Sequence, residues 1–255
     1  AHVIYHLQDI HPEAANIVVP LHPAVMRALK AIDSWSMRRA SQLITLSQDM
    51  ADVMLERSRT KTTIKLMDNP AVCMASNNKE RTKGLIFCGN AGRMQRIPLL
   101  IEAITAYRLQ GGALPFEFVG GGVYSAELTQ LSNQVSGVTY LGQVPSAVAA
   151  ERVASFDWAI LSIDDEVTRY AFPSKSSTYA LSGSHILAVC GRNTSVAKWV
   201  VELDIGRVCE PNVSSVVAAF FEIERTNDVH KVTKPSLHHL EMSYFVESLI
   251  QVIND

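Results

Sequence analysis

Apolar residues fall into short, nearly continuous runs separated by longer segments with helical spacing. The runs Leu85–Cys88, Phe116–Val119, Val138–Leu141, Trp158–Leu161, His185–Val189 and Gly206–Cys209 read as strands. Between them, Ile97–Tyr107, Tyr124–Gln134, Ala147–Ala154, Ser174–Leu181 and Ser195–Val201 read as helices. This alternation predicts a parallel sheet with helices on both faces, which also explains why the strands lack polar alternation. Ahead of the block, Val3–Leu7, Gln42–Leu46 and Thr62–Met67 predict three further strands. Helices are expected over Val25–Ser34, continued through Trp35–Arg39, and from Gln48 to Arg57 behind a Ser47 cap. Gln8–Glu13 reads as a polar loop and Cys73–Lys83 as a linker, while Val213–Ile223 and Ser236–Ile253 close the chain as helices.

Composition narrows the picture. The chain has 255 residues, enough for one large domain or two smaller ones. Its formal net charge of −2 leaves no basic excess for bulk nucleic-acid binding. No apolar run is long enough for a membrane span. Cys73, Cys88, Cys190 and Cys209 show no C-x-x-C pairing, so reduced thiols in a cytoplasmic protein are the expectation. A strand beginning almost at the first residue points to a fragment or to a segment upstream.

Ligands of parallel sheets bind outside the carboxyl ends of the strands, which directs attention to four loops. In Gly89-Asn90-Ala91-Gly92-Arg93-Met94-Gln95, two glycines permit close backbone approach, and a helix start plus Arg93 favour phosphate. Turn glycines account for the loop as well, and it matches neither the dinucleotide nor the Walker fingerprint. Gly120-Gly121-Gly122 leaves room for a flat ring or a ribose, or is a permissive turn. Gly142-Gln143-Val144-Pro145 could read a base edge with its backbone, or is a simple loop. In the last loop, Pro173 is suited to a helix start and Ser174 to a cap. Lys175 then falls in a first turn, where the helix dipole disfavours a cation unless an anion binds there. A solvated surface lysine is the competing reading. The carboxylates of Asp164-Asp165-Glu166 suit a divalent cation in number, yet adjacent residues point to opposite sides. A solvated acidic loop without metal is expected.

Arg27, Lys30, Arg38 and Arg39, with Trp35 and Met37, could dock on an anionic membrane surface. The alternative is a helix packed into the core with a solvated basic face.

Five blocks in order carry a family likeness: Asp68-Asn69-Pro70, FCGNAGRMQ with LIEA (Leu100–Ala103), FEFVGGG, VTYLGQVP, and PSKSSTYALSG before a buried strand. Together they resemble the retaining GT-B glycosyltransferases of family four, in particular the bacterial branch that builds surface polysaccharides. The resemblance implies an α/β fold of two Rossmann-like units facing a cleft. Residues 1–74 would be the later part of the first, acceptor-side unit and 75–83 a linker. Residues 84–235 would form a complete nucleotide-sugar-binding unit, and 236–255 a helix returning toward the first. It implies a nucleotide-sugar substrate, UDP-linked, and a glycan or polyprenyl-linked acceptor at the inner face of the membrane. It implies no cofactor, no metal and no nucleic acid.

The roles it implies begin with Arg93 and Lys175 stabilising the departing diphosphate, helped by the Gly89, Asn90 and Gly92 backbone. Gln95 stands where many relatives carry lysine. Gly121, Gln143, Val144 and Pro145 would flank ribose and base, with Ser174 in the same donor set. Asp9, near His11 and Glu13, occupies the loop of a catalytic or acceptor-positioning residue. Tyr170 and Thr178 stand where relatives carry paired glutamates, and Ser184-His185 replaces a basic residue and proline. Thr178 keeps one neutral hydrogen bond in place of a carboxylate acceptor. Two alternatives follow: a weakened relative acting as a scaffold or partner subunit, and a sugar-nucleotide epimerase. The chain alone is expected to be catalytically incompetent.

Overall fold

The computed structural model describes residues 2–71, 81–226 and 234–254. The first unit runs β1 (Ile4–His6), α1 (Glu13–Val18), α2 (Pro23–Arg39), β2 (Gln42–Thr45), α3 (Gln48–Ser58) and β3 (Ile64–Leu66). Its strands are parallel in the order β1-β2-β3. The second unit begins with β4 (Thr82–Cys88), α4 (Ile97–Leu109), β5 (Phe116–Val119), α5 (Ser125–Gln134), β6 (Val138–Tyr140) and α6 (Ser146–Ala154). It continues with β7 (Phe156–Ser162), α7 (Ser176–Ser182), β8 (His185–Val189), α8 (Ser195–Glu202), β9 (Gly206–Cys209) and α9 (Val213–Arg225). A 3-10 turn, Lys234–Leu240, leads into α10 (Met242–Asn254).

The second sheet is wholly parallel in the order β6-β5-β4-β7-β8-β9. Strand order reverses between β4 and β7, which opens a crevice at their carboxyl ends. Side chains alternate as the pleat requires: Leu85 and Phe87 pack under α4 and α9, while Ile86 enters the opposite cluster. That opposite cluster also takes in Leu7, Met37, Leu43, Met50 and Met54 of the first unit. A single apolar core therefore runs under both sheets. On the far side of the small sheet, Phe245, Leu249 and Val252 of α10 cover Ile4, Ile44 and Met67.

Local chemistry sets several boundaries. Ser47 Oγ accepts from Met50 N at 3.3 Å, Thr194 Oγ1 from Ala197 N at 3.2 Å, and Asn212 Oδ1 from Ser215 N at 2.9 Å. Polar struts also cross between the units. Asp49 accepts from the Ser195 amide and hydroxyl, and Trp199 Nε1 donates to Asp68 at 2.9 Å. Burial holds the Asp68 carboxyl above its usual range, against the opposing pull of His239 and Trp199.

Four expectations need correction. Residues 13–18 form α1 where a loop was expected to reach Glu13, because buried Glu13 is anchored by Arg57 at 2.5 Å and Lys30 at 3.4 Å. The α7 helix starts at Ser176 instead of Ser174, since Ser176 N closes a turn onto Pro173 O at 3.0 Å. Thr82 and Lys83 belong to β4; most of the expected linker, 75–80, and Cys73 lie outside the described residues. Finally, α2 turns Val25, Leu29 and Ile32 outward, and buries Ser34 and Met37. Cys88 is half-buried and Cys190 and Cys209 are buried, all three as free thiols. Among the described residues, no helix is long and apolar enough to cross a membrane.

Arg57 is the polar hub of the first unit. It pairs with Glu13 and Asp33, all three with little side-chain exposure, and donates to the His11 carbonyl at 2.9 Å. Arg57→Ala leaves Glu13 with Lys30 and Asp33 with the Tyr5 hydroxyl as their remaining partners, and should lower unfolding free energy by about 3 kcal/mol in urea titration.

Candidate active site

The crevice between β4 and β7 is where the four loops meet. Three of them lie side by side through main-chain bonds. Gly89 N donates to Val119 O at 2.8 Å, Ala91 N to Gly121 O at 2.8 Å, and Gly120 N to Gly142 O at 2.7 Å. Gly120 has φ +118°, and a Cβ there would sit 2.1 Å from the Gly89 carbonyl oxygen. Its glycine is demanded by backbone-on-backbone packing, so contact with a ribose is not needed to explain it. Gly121 is different: the flexible Gln143 side chain lies over it, with Cγ 3.1 Å from where a Cβ would stand. Gln143 and Pro145 are exposed at the rim, and Val144 packs partly into the core.

The last loop brings Lys175 onto the end of β4. Its Nζ lies 3.7 Å from the centroid of the Phe87 ring, at the distance of a cation–π contact. A Cβ on Gly89, whose φ is +139°, would come within 3.3 Å of that nitrogen. Gly89 thus vacates the space that the ammonium occupies. The lysine stem is partly exposed, but the nitrogen is sealed and has no hydrogen-bond partner. Burial lowers its pKa to about 7, opposed only weakly by the nearby Cys88. Burial likewise pushes the Cys88 thiol up.

Tyr179, one helical turn after Lys175, fixes this geometry. Its hydroxyl donates to Cys88 O at 2.6 Å and accepts from Cys88 N at 2.8 Å. The fully buried ring thereby ties α7 to the residue just before Gly89. Sequence reasoning missed Tyr179, although its spacing of four from Lys175 puts both on one helix face.

The remaining candidates take varied positions. Asp9 is exposed and forms an antiparallel bridge with Ala171, beside the bond from Ile10 N to Tyr170 O at 2.7 Å. The first unit thus delivers Asp9 to the loop that carries Lys175. Glu13, its sequence neighbour, is instead consumed by Arg57. Arg93 is exposed and donates to the Val18 carbonyl at 3.3 Å, spanning from one unit to the other. Asn90 is exposed, its side chain nearest Gly92 and Gly122. Gln95 keeps its Oε1 buried without a hydrogen-bond partner, 2.9 Å from a Cβ position on Gly92. Ser174 is exposed in the turn, Thr178 is half-buried in α7, and Tyr170 packs partly into the core.

The acidic run is solvated, with Asp164 and Asp165 side chains 42% and 43% exposed, and it is tied down as well. Arg96 pairs with Asp164 at 3.3 Å and Asp165 at 3.2 Å, and donates to the Ile163 carbonyl at 3.0 Å. Asp165 also accepts from Gly191 N at 3.0 Å. These carboxylates brace the two loops flanking the crevice. A cleft of about 710 Å³ opens farther along, between α3 and the loops after β7, β8 and β9. Asp49, Asp52, Glu56, Asp165 and Glu210 outnumber Arg169 and Arg192 in its lining, which makes it hostile to phosphate.

Two sheets of this kind, joined through one core with a terminal helix returning to the first, define a GT-B fold. The structural likenesses agree. TarM, known from S. aureus, superposes with a TM-score of 0.73 at 12% identity, covering 100% of this chain and 50% of that one. Anabaena HepE, solved in complex with UDP, gives 0.71 at 14% identity, covering 99% and 72%. In sequence, the chain is 26% identical over 225 residues to a probable glycosyltransferase, WbjE, of Pseudomonas aeruginosa, spanning 81% of this chain and 55% of that protein. The chain therefore spans about half the length of that curated relative. No family model matches it.

Tyr179→Phe removes both bonds to Cys88 from a buried site. It should lower unfolding free energy by about 2 kcal/mol in urea titration, with the helical circular-dichroism signal retained.

Proposed function

We propose that this chain is the donor-binding part of a retaining glycosyltransferase of family four, acting on a UDP-linked hexose or N-acetylhexosamine. Its domains would divide as the resemblance implies, near residues 74 and 84, with α10 belonging to the first unit. The observation that carries the reading is the sealed Lys175 ammonium at the strand-order switch. A buried cation without a counter-charge is unstable by itself, and a diphosphate entering beside Gly89 would supply that charge. As the donor bond breaks, negative charge grows on the leaving oxygens, where a positioned cation gives most stabilisation. Arg93 would contribute a second cation from the rim after leaving Val18. Gln143, lying over Gly121, supports a base or ribose position at the far end of the same crevice. Asp9 would face the sugar or its acceptor from the first unit. The acceptor in this reading is a glycan or a lipid-linked sugar, met on the cytoplasmic side. UDP in the HepE complex supports the choice of nucleotide.

The test is calorimetric titration with UDP. Lys175→Met should weaken binding by about tenfold or more while leaving the melting temperature unchanged or raised, because it removes an uncompensated buried charge. Undiminished UDP affinity in this variant would overturn the reading. The pH dependence has a definite sign. With a free-site pKa of about 7, the lysine is charged below that value and must take up a proton above it. UDP affinity should therefore fall as pH rises from about 7 toward 9, at up to about tenfold per pH unit, and the fall should vanish in Lys175→Arg.

A further inference from the structure

Ser162 closes β7 at the carboxyl end of the sheet, where the strand order reverses. It is 1% exposed, and its hydroxyl has no hydrogen-bond partner. A buried hydroxyl in that state costs free energy until something completes it. The pleat shows which way it points. Trp158 and Ile160 of β7 pack in the cluster under α4 and α9, together with Leu85 and Phe87 of β4. Alternation continues the first series to Ser162 and the second to Gly89. Leu85 lies opposite Trp158 and Ile86 opposite Ala159, so the same register carried forward sets Gly89 beside Ser162. On its other flank Ser162 lies opposite Val189, which is fully buried. The serine therefore borders the space that Gly89 vacates. The Lys175 ammonium borders the same space, 3.3 Å from a Cβ position on Gly89. Two polar groups without partners, one a cation and one a hydroxyl, flank a single gap.

We infer that Ser162 is a further donor-binding residue, its hydroxyl donating to an oxygen of the diphosphate while Lys175 answers the charge. The inference rests on the function proposed above and adds a second group that the diphosphate meets. A phosphate oxygen has lone pairs to accept from an ammonium and a hydroxyl together. A hydroxyl gives more to a charged acceptor than to a neutral one, which suits a site that must hold charge. Smallness alone does not explain the serine. Alanine would fill the same place beside Val189 without an unpaired hydroxyl. Entry asks for a modest change: the ammonium leaves the Phe87 ring for the phosphate, and a phosphate oxygen takes its place over Gly89. The chain just beyond Ser162 carries the 3-10 turn Arg93–Gln95, through the bond from Asp164 N to Met94 O at 2.8 Å. No residue of that turn is buried, so it can yield without opening the core.

The experiment is calorimetric titration of UDP into the 255-residue chain and into its Ser162→Ala and Ser162→Cys variants. Ser162→Ala should weaken UDP binding by about tenfold. Its melting temperature should be unchanged or raised, because the hydroxyl it removes has no partner in the empty protein. Cysteine has nearly the size of serine but is a weak donor, so Ser162→Cys should lose as much affinity as Ser162→Ala. Uridine, which lacks phosphate, should bind all three forms alike in saturation-transfer NMR. Three results would overturn the inference. They are undiminished UDP affinity in Ser162→Ala, full affinity in Ser162→Cys, which would assign the residue to packing, and a loss of uridine binding parallel to that of UDP. Lys175→Met separates this inference from the reading beneath it. If Lys175→Met loses UDP and Ser162→Ala does not, the role of the serine fails alone. If neither variant loses UDP, or the unaltered chain does not bind it, the donor reading fails as well.

Discussion

An ammonium group held away from water, with only aromatic faces and a main-chain bend for company, is the constraint on which the crevice depends. Lys175 can lie over Phe87 because Gly89 has no side chain in the way. Gly89 keeps its place because Tyr179 grips Cys88 and because Gly120 packs flat against it. The arrangement resists collapse while leaving one charge unanswered. Such unanswered charges mark sites where a ligand completes the electrostatics.

Much of this was legible in the sequence, for a physical reason. Strands buried on both faces leave continuous apolar runs, so β4, β5, β7 and β8 stood out at or near their observed limits. Helix starts with capping side chains, such as Ser47 and Thr194, were equally plain or nearly so. What could not be read was chemistry set by contacts distant in sequence. The partner of Arg96 lies 68 and 69 residues away, at Asp164 and Asp165, and the partner of Tyr179 lies 91 residues away at Cys88. α1 escaped notice because its anchor, Arg57, is 44 residues farther on. The start of α7 shifted because Pro173 and Ser174 form a turn of their own ahead of it.

Helix α2 shows a limit of periodicity. Apolar spacing identifies a face but does not say whether the face looks inward. Here Met37, Ser34 and the polar system around Arg57 claim the inward side, and the regular stripe is left outside. Singly exposed aliphatic residues are ordinary on a protein surface; three in register along one helix, Val25, Leu29 and Ile32, are not.

The continuity of the apolar cluster beneath the two sheets bears on how the molecule can be divided. Leu7, Leu43, Met50 and Met54 share one packed interior with Ile86, Ala159, Leu161 and Ile186. The divide suggested by topology passes straight through that interior, so scission near residue 81 would expose a wet apolar wound on either side. The two sheets are separate in connectivity and inseparable in solvation. A shortened form meant to keep the crevice would have to retain β2 and α3 along with it.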